Sequence, residues 1–137
     1  SVIMAARLCD SGYGFVCPTG SDNTQLYLDK TRLLDAATDG TGSVSPRGQR
    51  ILSMFPPVFG PNGLMLVQVF TENGTEILSY NGQTFTSILG SGDTIQGKTV
   101  AMILFGCLPH GINAYGEFAV VVEYSDGDSA ILLGIPV

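Results

Sequence analysis

Few side chains in this sequence are equipped for chemistry, and they lie far apart. Histidine occurs once, His110, in the loop-like run Pro109-His110-Gly111-Ile112-Asn113. One imidazole cannot build a His-ligated metal site without cysteine or carboxylate partners at suitable spacing. Cys107 is close in sequence, but Cys9 and Cys17 belong to a distant segment. A solvated loop residue is the simpler reading of His110. Serines are plentiful, yet no Gly-x-Ser-x-Gly elbow is present, which argues against a Ser-His-Asp arrangement. Asp22, Asp93, Asp126 and Asp128 could bind Ca²⁺ in Asp/Gly-rich turns. No Asp-x-Asp-x-Asp-Gly run with a distant Glu occurs, and turn chemistry accounts for these residues more simply. Gly90-Ser91-Gly92-Asp93 is not followed by Lys-Ser/Thr and a helix, so no phosphate loop is expected. No cofactor, catalytic residue or metal ligand is assigned.

Three further features carry covalent or contact chemistry. Cys9 and Cys17 flank a first hairpin whose turn region is Asp10 to Gly12, and cross-strand neighbours there could form a disulfide. A short loop of that kind would stabilise by roughly 2–3 kcal/mol. Cys107 is left over on an apolar strand, where a buried free thiol is expected. Asn73-Gly74-Thr75 is a glycosylation sequon on a hairpin tip, although the hairpin needs those turn residues in any case. Tyr13, Tyr27, Tyr80, Tyr115 and Tyr124 could stack on sugars if grouped on one face. Only Tyr115 reads as a loop residue, and strand tyrosines usually pack on the sheet.

The elements behind these residues read as strands. The chain has 137 residues, enough for one domain with its own core. Apolar residues make up 45 %, but no run approaches the roughly 18 needed for a membrane-spanning helix. Glycine is abundant at 18 residues and charge is scarce at 13 %, an all-β composition with many turn signals. Net charge is −6 without a basic cluster, so neither nucleic acid nor an anionic membrane is an expected partner. The chain opens at Ser1 with strand-like Val-Ile-Met and no signal-peptide pattern. The expectation is that a leader has been removed or that the chain is cut from something longer.

An internal repeat organises the rest. Gly63-Leu-Met-Leu-Val-Gln-Val-Phe-Thr-Glu-Asn-Gly matches Gly116-Glu-Phe-Ala-Val-Val-Val-Glu-Tyr-Ser-Asp-Gly at an offset of 53 (116 − 63), and Pro56 and Pro109 keep that offset. An upstream copy beginning at Gly12 aligns with Gly63 at an offset of 51 (63 − 12), which sets Leu26 on Ile77. The units span approximately 1–49, 50–100 and 101–137. Each reads as up to four short antiparallel strands. The first strands are Val2 to Ala6, Arg50 to Phe55 and Ala101 to Leu108. The second are Tyr13 to Pro18, Leu64 to Phe70 and Glu117 to Tyr124. The third are Gln25 to Leu28, Glu76 to Tyr80 and Ser129 to Leu133. Fourth strands are Thr31 to Leu34 and Gln83 to Leu89. The turns Asn73-Gly74, Asn81-Gly82 and Asp126-Gly127 suit type I′ hairpins, which need positive φ at both central residues. The one helix-compatible stretch, Asp29 to Ala37, falls where the repeat places a strand.

Pro109, Asn113, Gly116, Phe118 and Ala119, with Pro57, Asn62 and Gly63 and the linker-like Gly92-Asp93 and Gly97, resemble the tandem NxxG-type (NxxGxxAF-like) repeats of secreted proteins. The Asn-Gly spacing is contracted in the second unit, and the first keeps Gly12 without the Asn. That resemblance implies four-stranded units arranged like propeller blades. A β-trefoil, a β-prism or a β-sandwich is the alternative for three such units.

The third unit ends after its third strand. That leaves an unpaired strand edge, formed by Ile131, Leu132, Leu133, Ile135 and Val137, which would be adhesive unless covered. The expected function is a non-enzymatic extracellular or cell-surface structural protein that self-assembles by strand or edge complementation, such as a filament or surface-layer subunit. The expected partner is a homo-oligomer or polymer. The alternative is a carbohydrate-binding, lectin-like module with a glycan partner.

Overall fold

The computed structural model describes residues 4–9, 12–18, 23–28, 30–104 and 112–135. Every paired strand in it is antiparallel, and no α-helix occurs among the described residues. The first sheet runs β1 (Met4–Cys9), β2 (Gly12–Pro18), β3 (Asn23–Leu28) and β4 (Thr31–Ala37), paired in chain order. The second contains β5 (Ile51–Met54), β6 (Val58–Phe59), β7 (Met65–Thr71), β8 (Gly74–Tyr80) and β9 (Phe85–Gly90). Its order is β5-β7-β8-β9, with β6 also pairing to β7. The third runs β10 (Thr94–Ile95), β11 (Lys98–Leu104), β12 (Phe118–Tyr124) and β13 (Ser129–Gly134). The helix-compatible stretch is β4, where Leu34, Ala36 and Ala37 are buried on the sheet. Alternation of period two won over weak helix propensity there.

Two details differ from the expectation. The third sheet starts earlier than residue 101: β10 and the first residues of β11 extend it back to Thr94. The three turns expected to be type I′ are not. In them positive φ falls on the glycine alone, Gly74 (133°), Gly82 (98°) and Gly127 (92°), and not on Asn73, Asn81 or Asp126; the β10–β11 turn carries it at both Gln96 (51°) and Gly97 (79°). The turn side chains act instead as acceptors. Asn81 Oδ1 takes the N–H groups of Gln83 and Thr84, both at 2.8 Å. Asp126 Oδ1 takes the N–H of Asp128 at 2.9 Å. These are Asx turns, which leave only one residue in need of positive φ.

The core consists of two layers separated by the second sheet. Met65, Val67 and Val69 of β7 and Leu78 and Tyr80 of β8 meet Leu26, Leu34 and Ala36 of the first sheet. On the opposite face Leu66 and Ile77 meet Val100, Ile103, Val120 and Val122 of the third sheet. Successive strand residues point to opposite faces, so β7 must be apolar almost throughout, and its Met-Leu-Val-Gln-Val-Phe-Thr run meets that demand. Its one amide, buried Gln68, donates from Nε2 to the Ile103 carbonyl at 2.7 Å and ties the second sheet to the third.

Candidate functional site

Two places concentrate chemistry or exposed apolar surface, and the first is ionic. Arg47, on the link between the first two sheets, grips Asp93 with Nη1–Oδ1 at 2.5 Å and Nη2–Oδ2 at 2.9 Å. Its Nε donates to Ser87 Oγ at 2.7 Å. Behind it lies Glu76 of β8, a buried carboxylate. Glu76 Oε2 accepts the Ser45 hydroxyl at 2.8 Å. Oε1 has no hydrogen bond among the described residues and faces Arg47 Nε at 4.0 Å. The cluster therefore joins the linker, β8, β9 and the turn before β10.

The Arg47 hydrogen bond holds Asp93 below the usual carboxylate range and raises the guanidinium above its own. A depressed folded value means that the carboxylate stabilises the fold above the unfolded value of about 4. That contribution disappears as pH falls through the lower, folded value. Asp93→Asn should thus cost about 1–2 kcal/mol at pH 7, and the gap to the parent should narrow as pH falls through that depressed value. Urea midpoints of the two chains at pH 7 and pH 2–3 check this; equal midpoints at pH 7 would remove the clamp from the account.

The carboxylates considered for calcium are engaged otherwise. Asp93 holds Arg47, while Asp126 and Asp128 flank Lys98, the former at 3.2 Å. Among the described residues no three His, Cys, Asp or Glu side chains group as metal ligands. Asp22, Cys107, His110 and Val137 lie outside the described residues. Asn73 is exposed in the β7–β8 turn. The backbone register sets Cys9 opposite Gly12 and Cys17 opposite Gln25. Gly12 and Cys17 stand about 16 Å apart along β2 at roughly 3.3 Å per residue. The two cysteines are therefore not cross-strand partners in this pairing, and a disulfide needs Cα atoms within about 7 Å.

The second place is the outer side of the third sheet. Direct cross-strand partners share a face: Leu104 pairs with Val121, and Val121 with Ile131; Ala119 pairs with Leu133. Met102, Leu104, Val121, Ile131 and Leu133 are all exposed, Ile131 to 77 % and Leu133 to 63 %, with Ile135 beyond them. Leu132 points the other way and packs with the inner layer. The sequence singled out β13 and missed Met102, Leu104 and Val121. A signal for them was present: Phe118-Ala-Val-Val-Val-Glu-Tyr124 is apolar on both faces, as β7 is, and such runs mark strands covered on both sides.

The edge of β13 is open as well as its face. Tyr124 N–H donates to the Asp128 carbonyl at 2.7 Å, in register with the pairs that follow. Bonded and non-bonded pairs alternate in an antiparallel ladder, so Ala130, Leu132 and Gly134 bond to β12. Ile131 and Leu133 therefore turn N–H and C=O away from β12, toward the side where β13 has no neighbour among the described residues. An apolar cleft of about 530 Å³ runs beside this edge, walled by Ile88 and Leu89 of β9, Leu66, Phe118, Val120 and Leu132. In the first two sheets β4 and β9 follow the third strand at the corresponding position.

Comparison of the chain with protein-family models, with curated proteins and with solved structures finds no match. Among the described residues no helix is long and apolar enough to cross a membrane.

Proposed function

We propose that this chain is a non-enzymatic structural module, extracellular or at a cell surface, that assembles with further copies by taking up a strand at the β13 edge. In this reading the three sheets are blade-like repeats of the NxxG type, and the third takes up a strand beside β13, at the place that β4 and β9 hold in the first two. The observation that carries the proposal is the pairing of free edge and apolar cleft. Outward N–H and C=O groups of Ile131 and Leu133 lie beside a trough into which alternate side chains of an added strand would project. Strand addition supplies affinity through such backbone bonds and specificity through such pockets. The strand lacks one usual protection of an edge, since no charge occurs from Ser129 to Val137.

Leu133→Pro tests the edge. Proline removes one outward donor, leaves the bonds to β12, and sits on an edge where it is tolerated. Light scattering should show the large assemblies lost while the circular dichroism of the fold persists. Assemblies of unchanged size in that variant would contradict edge complementation.

A carbohydrate-binding reading has one observation in its favour. Tyr115 is 81 % exposed on a loop ordered by Asn113, whose Oδ1 accepts the N–H groups of Tyr115 and Glu117 at 2.9 and 3.0 Å. Binding on a glycan array that disappears in Tyr115→Ala would favour it.

A further inference from the structure

The face of the third sheet is a separate surface from its edge, and its place in the stack identifies what fits it. Leu26, Ile77 and Ile131 lie on β3, β8 and β13, each on the side of its sheet turned toward the next place in the stack. Leu26 pairs with Val16, Ile77 with Gln68 and Ile131 with Val121. Leu26 is sealed by the second sheet and Ile77 by the third, both to 0 % exposure, whereas Ile131 is the exposed member of the series. The outer face therefore continues an interface that the chain already builds twice, and its natural occupant is another sheet.

Which sheet that is follows from the chemistry of the two ends. At the far end, the side of β3 and β4 turned from the core carries Gln25, Tyr27, Arg32 and Asp35, with Arg32 and Asp35 at 3.8 Å. That surface suits water better than an aliphatic partner. The third sheet's outer face is apolar across β11, β12 and β13, with Glu123 as its charge at the turn end. The face that best complements it is its own counterpart.

We infer that two copies of this chain pair through the outer faces of their third sheets, related by a two-fold axis near Val121. The same patch then serves both partners. Two sheets about 10 Å apart interdigitate Met102, Leu104, Val121, Ile131 and Leu133 with the same residues of the second copy. The two-fold sends the Glu123 side chains to opposite ends. A face three strands wide and about 20 Å long buries on the order of 1,000 Å² in total, the lower size limit of a specific dimer. The inference does not depend on strand addition at the edge.

The test uses the full chain carrying Ile88→Glu, which puts a charge into the cleft that an added strand would fill, leaves the outer face intact, and so separates the two proposals. Sedimentation equilibrium should give twice the single-chain mass at micromolar concentration. Adding Leu104→Glu and Val121→Glu should raise the dimer Kd by on the order of 100-fold, with unchanged circular dichroism. Labelled Leu104→Glu/Val121→Glu chain mixed with its apolar-faced parent should stay monomeric, since its charged face has no match on the parent, which pairs with itself. A monomeric apolar-faced chain, an unshifted Kd, or a labelled variant that still joins the parent (a head-to-tail contact) would each overturn the inference.

Discussion

Replacing Arg47 by methionine is expected to lower the stability of the folded chain by about 3 kcal/mol, the low end of the range for leaving one buried charge without its partner. The penalty arises less from lost attraction than from the charge left behind. Glu76 is buried, one of its oxygens relies on Ser45, and the other has Arg47 as its nearby cation. Methionine fills similar volume but supplies neither charge nor donors, and it also frees Asp93 and Ser87. At about 2–4 °C per kcal/mol for a chain of this size, the melting temperature should fall by roughly 10 °C. Adding Glu76→Gln in the same chain should recover part of the loss, because a neutral amide tolerates the site better than an unpaired carboxylate. Thermal unfolding of the parent, the single variants and the double variant measures this directly. A double variant no more stable than Arg47→Met alone would show that Glu76 does not depend on Arg47.

The second large effect concerns two isoleucines, Ile77 of β8 and Ile131 of β13, that face the same way in the stack of sheets. Ile77→Ala should cost about 2–5 kcal/mol, because the residue is wholly enclosed between the second and third sheets and its loss opens a cavity. Ile131→Ala, measured on the monomer at low concentration, should change stability by no more than about 0.5 kcal/mol. The same variant at high concentration should weaken association. Identical residue types in like places would thus act on different equilibria, folding for one and assembly for the other. Comparable destabilisation of the dilute monomer by both substitutions would mean that Ile131 is covered within a single chain.

Much of the strand order was legible because two signals agreed. Apolar runs repeated along the chain marked β7, β8, β12 and β13, and Asn-Gly or Asp-Gly marked the turns between them. The antiparallel sheets confirm that all-β reading. The turn type was misjudged because Asn and Asp can serve a turn in two ways, by adopting positive φ or by accepting backbone N–H groups. Residue type alone does not choose between them. The register of β1 and β2 was also out of reach: Cys9 and Cys17 flank a hairpin in sequence, but partners along a ladder depend on where the turn falls. The ionic cluster escaped notice for another reason. Arg47, Glu76 and Asp93 belong to three separate segments, brought together when the linker crosses the end of the second sheet. Glu76 gave one local hint, a carboxylate inside the apolar run Glu76-Ile-Leu-Ser-Tyr80, where a charge demands a partner.

The open side of the third sheet was half legible. The sequence marked β13 as an unfinished edge, and the structure adds Met102, Leu104 and Val121 as a face. Strand β12 is composed like β7 but is covered on one side within the described chain. The most direct test of the account is the solution mass of the unmodified chain across a concentration series, by sedimentation or light scattering. The account predicts a mass that climbs from one chain to two and beyond as concentration rises. A mass that stays at one chain up to millimolar concentration would contradict it.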